Sequence, residues 1–156
     1  MSCSSQVANC LDCYYSSLMS KTMCITCASS FFLYTFNNTC LPVCPSPGFY
    51  LYQNKYCMSC GLNCNTCTND SVCTVCNSGY NLYQGQCISI CPQGYYANSG
   101  VCTICETNCN VCNYTQCIQC NKPYSLDANY HCTLCVSGYF VNTHTSACQQ
   151  CATNCL

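Results

Sequence analysis

Cysteine is the residue most able to do chemistry in this chain, and it recurs in pairs. Cys10-x2-Cys13, Cys24-x2-Cys27, Cys64-x2-Cys67, Cys73-x2-Cys76, Cys102-x2-Cys105, Cys109-x2-Cys112, Cys117-x2-Cys120 and Cys132-x2-Cys135 all have the spacing of a tetrahedral zinc ligand pair or a redox dithiol. Three other chemistries compete with them. His131 and His144 are the candidate general bases near neutral pH. Asn37, Asn69 and Asn113 each open an N-x-[ST] acceptor for N-linked glycans. Any one cysteine left unpaired is a candidate nucleophile.

Numbers decide among these. The chain has 26 cysteines in 156 residues, well past the roughly 8–10% that marks a disulfide scaffold. Holding them as zinc thiolates would need many all-cysteine sites, yet only three lysines and no arginine are present to balance the charge. Disulfides are the expectation, with no metal and no cofactor. They place the protein in an oxidising compartment, extracellular or at the cell surface. Neither histidine has a neighbour in sequence to orient it and the four carboxylates are scattered, so no catalytic residue and no enzyme is expected.

Composition narrows the class further. Seven charged residues (Lys21, Lys55, Lys122, Asp12, Asp70, Glu106, Asp127) cannot form the basic face that nucleic acid requires. No apolar run approaches the ~18 residues of a membrane span. The start, Met1-Ser2-Cys3, has neither basic nor apolar signal character, so the chain reads as a mature product or a piece of something longer. Aliphatic residues are thin and Trp is absent; cross-links therefore take over from a conventional core. A surface with so few charges would self-associate unless glycans hydrate it.

The elements that position the cysteines come from a repeat. Cys60-Gly-Leu-Asn-Cys64-Asn-Thr-Cys67, Cys105-Glu-Thr-Asn-Cys109-Asn-Val-Cys112 and Cys151-Ala-Thr-Asn-Cys155 are one opening, 45 and 46 residues apart. Three units of eight cysteines follow: repeat 1 over 3–59 with long loops, repeat 2 over 60–104 and repeat 3 over 105–150. Residues 151–156 are the truncated start of repeat 4. After the fifth cysteine of each unit comes an aromatic stretch (Ser30 to Phe36, Gly79 to Tyr83, Pro123 to Leu126), and after the seventh another (Pro47 to Tyr52, Gln93 to Tyr96, Ser137 to Val141). Bounded by Gly, Asn, Pro and Ser, these predict short β-hairpins. The fold class is small and disulfide-rich, mostly loops with short hairpins and little or no helix, tandem repeats stacking into an extended rod.

Two stretches, Cys40-Leu-Pro-Val-Cys44-Pro-Ser-Pro-Gly-Phe-Tyr and Cys87-Ile-Ser-Ile-Cys91-Pro-Gln-Gly-Tyr-Tyr, carry a resemblance. The chain resembles the furin-like, growth-factor-receptor type cysteine-rich repeats, also abundant in protist, ciliate-like surface proteins. Repeat 3 departs from the motif, with Cys132-Thr-Leu-Cys135-Val in place of C-x3-C-P. The resemblance implies pairing of first to third, second to fourth, fifth to sixth and seventh to eighth cysteines. It gives Cys3–Cys13, Cys10–Cys24, Cys27–Cys40 and Cys44–Cys57 in repeat 1. In repeat 2 it gives Cys60–Cys67, Cys64–Cys73, Cys76–Cys87 and Cys91–Cys102. In repeat 3 it gives Cys105–Cys112, Cys109–Cys117, Cys120–Cys132 and Cys135–Cys148. Every C-x2-C is then shared between two bridges. Cys151 and Cys155 are left as a link to a continuing chain or to another subunit.

The functional expectation is a non-enzymatic extracellular structural protein: a glycosylated, disulfide-stapled rod of a surface coat or fibre, assembling head to tail. The alternative is a stalk or ligand-binding segment of a surface receptor, or a variable surface antigen. The tyrosines are expected to lie across the bridges rather than outward.

Overall fold

The structure is a computed structural model, and it describes residues 3–142, 144–145 and 147–152. These divide into two compact units, one ending at Cys87 and the other beginning at Ile88. The division falls inside repeat 2, between its sixth and seventh cysteines. Apart from a single 3-10 turn at Cys3–Ser5, the described residues are strands and loops.

The first unit opens with β1 (Cys10–Ser16) and β2 (Lys21–Cys27), a hairpin with Cys13 opposite Cys24 and Cys10 opposite Cys27. The aromatic stretches follow as β3 (Phe32–Tyr34) with β4 (Thr39–Leu41), and β5 (Phe49–Tyr52) with β6 (Tyr56–Ser59). β3 also runs parallel to β6, Leu33 against Tyr56 and Tyr34 against Cys57, making a four-stranded sheet in the order β4-β3-β6-β5. Tyr34 meets Phe49 edge to face at 4.8 Å across it. The pattern then restarts with β7 (Cys64–Asn69), β8 (Val72–Cys76) and β9 (Asn81–Tyr83), and the division falls within β10 (Gln86–Ile88).

The second unit repeats the set. β11 (Tyr95–Asn98) pairs with β12 (Val101–Ile104), β13 (Cys109–Cys112) with β14 (Cys117–Cys120), β15 (Tyr124–Leu126) with β16 (Cys132–Leu134), and β17 (Tyr139–Val141) with β18 (Cys148–Gln150). Hairpins after the fifth and seventh cysteines are where the aromatic stretches predicted them. The crossed loop formed by the first four cysteines is a third hairpin in every repeat, which the aromatic signal did not mark. Its strands carry the C-x2-C pairs, and each such hairpin shifts register between the two members of the first pair. That bulge lets both cysteines find bridges although they are three positions apart on one strand.

Cystine forms the interior. Buried residues are Cys10, Cys24, Cys40, Cys57, Cys64, Cys73, Cys102, Cys105, Cys109, Cys117 and Cys120, with Met23, Leu33 and the polar Ser125 the exceptions among the described residues. The twelve bridges close sequence separations of 7 to 14 residues. Loops of that size each restrict the unfolded chain by about 2–3 kcal/mol in the entropy account. Tyrosine serves both surfaces: Tyr56, Tyr96 and Tyr124 pack on the sulfur clusters, whereas Tyr14, Tyr15, Tyr52, Tyr114, Tyr130 and Tyr139 are exposed.

Candidate functional site: the cystine cores and the turns they hold

Each repeat is built around one crossing of bridges, and the local backbone explains how the chain reaches it. The residue before the second cysteine is Asn9, Asn63 or Asn108, with φ of 61°, 59° and 66°. Asparagine enters this left-handed region more readily than most residues. Turned that way, its carbonyl accepts the amide of the residue after the fifth cysteine: Ala28 to Asn9 at 2.8 Å, Asn77 to Asn63 at 2.8 Å and Asn121 to Asn108 at 2.7 Å. The asparagine in Asn-Cys was visible in every unit, and sequence reasoning passed over it.

Where one repeat hands over to the next, glycine has the same kind of role. Gly48 and Gly94, at φ of 96° and 80°, donate to Asn65 O and Asn110 O at 2.7 and 2.9 Å. Their carbonyls accept from Cys60 and Cys105, both at 2.8 Å. Gly138, at φ 87°, accepts from Cys151 in the same way at 2.8 Å. Cys151 is thus seated as Cys60 and Cys105 are, and it carries a free, half-buried thiol. Cys155 lies outside the described residues.

The structure brings the other 24 cysteines together as Cys3–Cys13, Cys10–Cys24, Cys27–Cys40 and Cys44–Cys57; Cys60–Cys67, Cys64–Cys73, Cys76–Cys87 and Cys91–Cys102; and Cys105–Cys112, Cys109–Cys117, Cys120–Cys132 and Cys135–Cys148. The second-to-fourth bridge is gripped by backbone carbonyls on both sides. Cys64 Sγ lies 3.0 Å from Thr66 O and Cys73 Sγ 3.0 Å from Val75 O. Cys10 Sγ lies 3.0 Å from Asp12 O, and Cys117 Sγ 3.3 Å from Gln119 O. A bridged sulfur has no proton to donate, so these are close sulfur–oxygen contacts and not hydrogen bonds. Ser125, almost wholly buried, points its hydroxyl at Cys148 Sγ at 2.7 Å.

Bridge stacks on bridge in every repeat. The fourth and sixth cysteines, which belong to different disulfides, bring their sulfurs within 3.4 Å (Cys24 and Cys40), 3.2 Å (Cys73 and Cys87) and 3.3 Å (Cys117 and Cys132). With the second cysteine they form three-sulfur groups whose spacing would suit a metal. Their sulfurs are already bonded in pairs, and neutral cystine lacks the thiolate that a zinc site uses.

The sequon asparagines are all exposed; Asn37 and Asn113 sit in hairpin turns, and Asn69 is the last residue of β7, beside its turn. Asn37 Oδ1 accepts from Thr39 N at 3.2 Å and Thr39 Oγ1 at 2.7 Å. Asn113 Oδ1 accepts from Thr115 N at 2.9 Å and Thr115 Oγ1 at 2.7 Å. Asn69 Oδ1 accepts from Ser71 N at 2.9 Å, but the Ser71 hydroxyl donates to Asp70 Oδ1 at 2.9 Å.

His131 has an orienting partner that local sequence did not show. Its Nδ1 lies 2.8 Å from Glu106 Oε2, 25 residues earlier. The Glu106 carboxylate raises the His131 pKa, first by the hydrogen bond and then by its charge. Asp127 closes the turn before His131, accepting from the amides of His131 at 2.9 Å and Asn129 at 2.8 Å. The His131 amide holds the Asp127 pKa below its ordinary value. His144 lies in the β17–β18 turn with its backbone amide on Asn142 Oδ1 at 2.8 Å. His131 and Glu106 lie in the open at a loop crossing.

No helix among the described residues is long and apolar enough to cross a membrane. Comparison with known proteins fits this geometry. The family model described as furin-like repeat, cysteine-rich, matches residues 37–102. Cysteine repeat modular protein 2 of Tetrahymena thermophila is 32% identical over 123 residues, 72% of this chain and 6% of that protein. Proprotein convertase subtilisin/kexin type 5 of Rattus norvegicus is 30% identical over 95 residues, 58% of this chain and 5% of that protein. R-spondin-3 of Mus musculus is 44% identical over 64 residues, 38% of this chain and 22% of that protein. The chain thus spans a small part of each relative, and its residues 37–102 match the furin-like, cysteine-rich repeat.

Proposed function

We propose that this chain is a non-enzymatic, extracellular structural segment of a cell-surface coat or fibre, hydrated by N-linked glycans and associating with further repeats or copies of itself. The observation that carries this reading is the composition of the interior. Buried side chains are mostly cystine, so cross-links hold the repeats in place of a conventional core. The exposed sequon turns supply positions for glycans on a chain of seven charges. Cys151, seated as the first cysteine of another unit, supplies a thiol for covalent continuation.

A second reading, a ligand-binding or stalk segment of a surface receptor, rests on exposed apolar residues of the last hairpins. Leu134, Tyr139 and Phe140 are 59%, 43% and 49% exposed, and aromatic surface of this kind is common in binding patches. Secretion from a eukaryotic host, followed by intact mass before and after peptide-N-glycosidase and by sedimentation, separates the two. The structural reading expects glycans on at least two of the three asparagines and concentration-dependent association. A secreted, unglycosylated monomer at all concentrations overturns it.

A further inference from the structure

Every repeat places four cysteines so that a second pairing is within reach of the first. In repeat 1 the bridges are Cys10–Cys24 and Cys27–Cys40. Cys40 Sγ nevertheless lies 3.4 Å from Cys24 Sγ, and Cys10 faces Cys27 as its cross-strand partner. Directly opposed residues of an antiparallel pair have Cα atoms about 4.5–5.5 Å apart, inside the ~4.4–6.8 Å that a disulfide spans. Repeat 2 gives the same arrangement, with Cys73 and Cys87 sulfurs at 3.2 Å and Cys64 opposite Cys76. Repeat 3 gives it again, with Cys117 and Cys132 at 3.3 Å and Cys109 opposite Cys120.

We infer that each repeat core is a thiol–disulfide exchange centre that interconverts two pairings, second–fourth with fifth–sixth and second–fifth with fourth–sixth. A small thiolate starts the cycle by attacking Cys27 Sγ, half-buried at the edge of the core. The Cys27–Cys40 bond breaks, a mixed disulfide forms on Cys27, and Cys40 leaves as thiolate. Cys40 attacks Cys24 Sγ from within near-attack distance, the Cys24–Cys40 bond forms and Cys10 leaves as thiolate. Cys10 then attacks the mixed disulfide at Cys27, closes Cys10–Cys27 and expels the original thiolate. Two bridges are present before and two after, nothing is oxidised or reduced overall, and the thiol is a catalyst. Cys64, Cys73, Cys76 and Cys87 follow the same steps in repeat 2, where Cys76 is likewise half-buried; in repeat 3 the sulfur to be attacked, Cys120, is buried, so Cys109, Cys117, Cys120 and Cys132 take these steps after a local opening and more slowly.

The inference concerns the cores alone and is independent of glycans or assembly. The test incubates the intact oxidised chain with reduced glutathione under native conditions, quenches by acid and alkylation, and maps the bridges by mass spectrometry without reduction. Expected products are peptides joined through Cys24–Cys40 with Cys10–Cys27, and their counterparts in the other repeats, at unchanged total protein thiol. Absence of these peptides at equilibrium overturns the inference, and so does scrambling spread evenly over all twelve bridges. A second arm uses Cys27→Ser, Cys76→Ser and Cys120→Ser. The released thiol should be alkylated partly at Cys10, Cys64 and Cys109; label confined to Cys40, Cys87 and Cys132 counts against exchange. Should a variant misfold, the wild-type chain decides.

Discussion

Residues 60–87 and 105–132 are two copies of one design, closed on their sides in different ways. Both carry three bridges in the same order, the same left-handed asparagine and the same bulged first hairpin. After the first cysteine, one copy has Gly61 and the other Glu106. A Cβ at Gly61 would meet the Asp70 carbonyl oxygen at 2.8 Å, so the loop packs backbone against backbone. The second hairpin of that copy is tied in by its own turn, Cys73 N donating to Gly85 O at 2.7 Å. In the other copy the position carries a side chain that reaches His131. The cystine crossing is common to both, and the variable part is how the loops around it are fastened.

Exchanging those fastenings tests the comparison most strongly. Gly61→Glu is expected to destabilise the chain by about 1–3 kcal/mol, because the obstruction is backbone and cannot swing aside. Glu106→Gly should cost less than about 1 kcal/mol, the loss of an exposed contact plus chain entropy. Denaturant midpoints of the two oxidised variants measure both, and equal costs would show that the two positions are not fastened differently.

The shared part is probed next. Asn63→Ala and Asn108→Ala should each cost about 1–2 kcal/mol, since alanine has no polar side chain to offset the left-handed backbone. Similar losses in both copies sharpen the claim of a common crossing. A loss in one copy alone would mean that the asparagine serves its own loop, and amide exchange at Asn77 and Asn121 reports which hydrogen bond has opened.

The smallest effect is in pH, and it belongs to one copy. His131 titrates above the ordinary imidazole value of about 6.5. Its contribution to stability is therefore complete below that value and is lost as pH rises through the higher folded pKa. Asp127, depressed in the folded state, works in the opposite sense, with a contribution lost as pH falls through its lowered pKa. Both groups are exposed, so the changes are small. An NMR titration should give His131 a raised pKa that returns toward 6.5 in Glu106→Gln, and a normal value in the parent would remove the ion pair from the account.

How much was legible follows from which physical signal each feature leaves. The repeat, the disulfide class and the hairpins after the fifth and seventh cysteines left periodic marks: fixed cysteine spacing and aromatic runs between turn formers. The first hairpin left no such mark, because its strands, Cys10–Ser16, Cys64–Asn69 and Cys109–Cys112, are mostly polar and cysteine. Glu106 and His131 lie 25 residues apart, and nothing local announces a contact made by two loops crossing. The asparagines before Cys10, Cys64 and Cys109 were in plain view, but their use depends on a backbone angle. The sulfur stacks are a property of three dimensions alone, since the fourth and sixth cysteines are neither bonded nor adjacent in sequence.

One consequence of the cystine interior concerns temperature. Among the described residues Met23 and Leu33 are the buried aliphatics, so unfolding with the bridges intact uncovers little hydrocarbon to water. The heat-capacity increment that bends a protein's stability curve comes chiefly from that exposure. A small increment leaves that curve nearly straight: as long as the bridges hold, the repeats should go on gaining stability as the water cools, with no downturn in the cold.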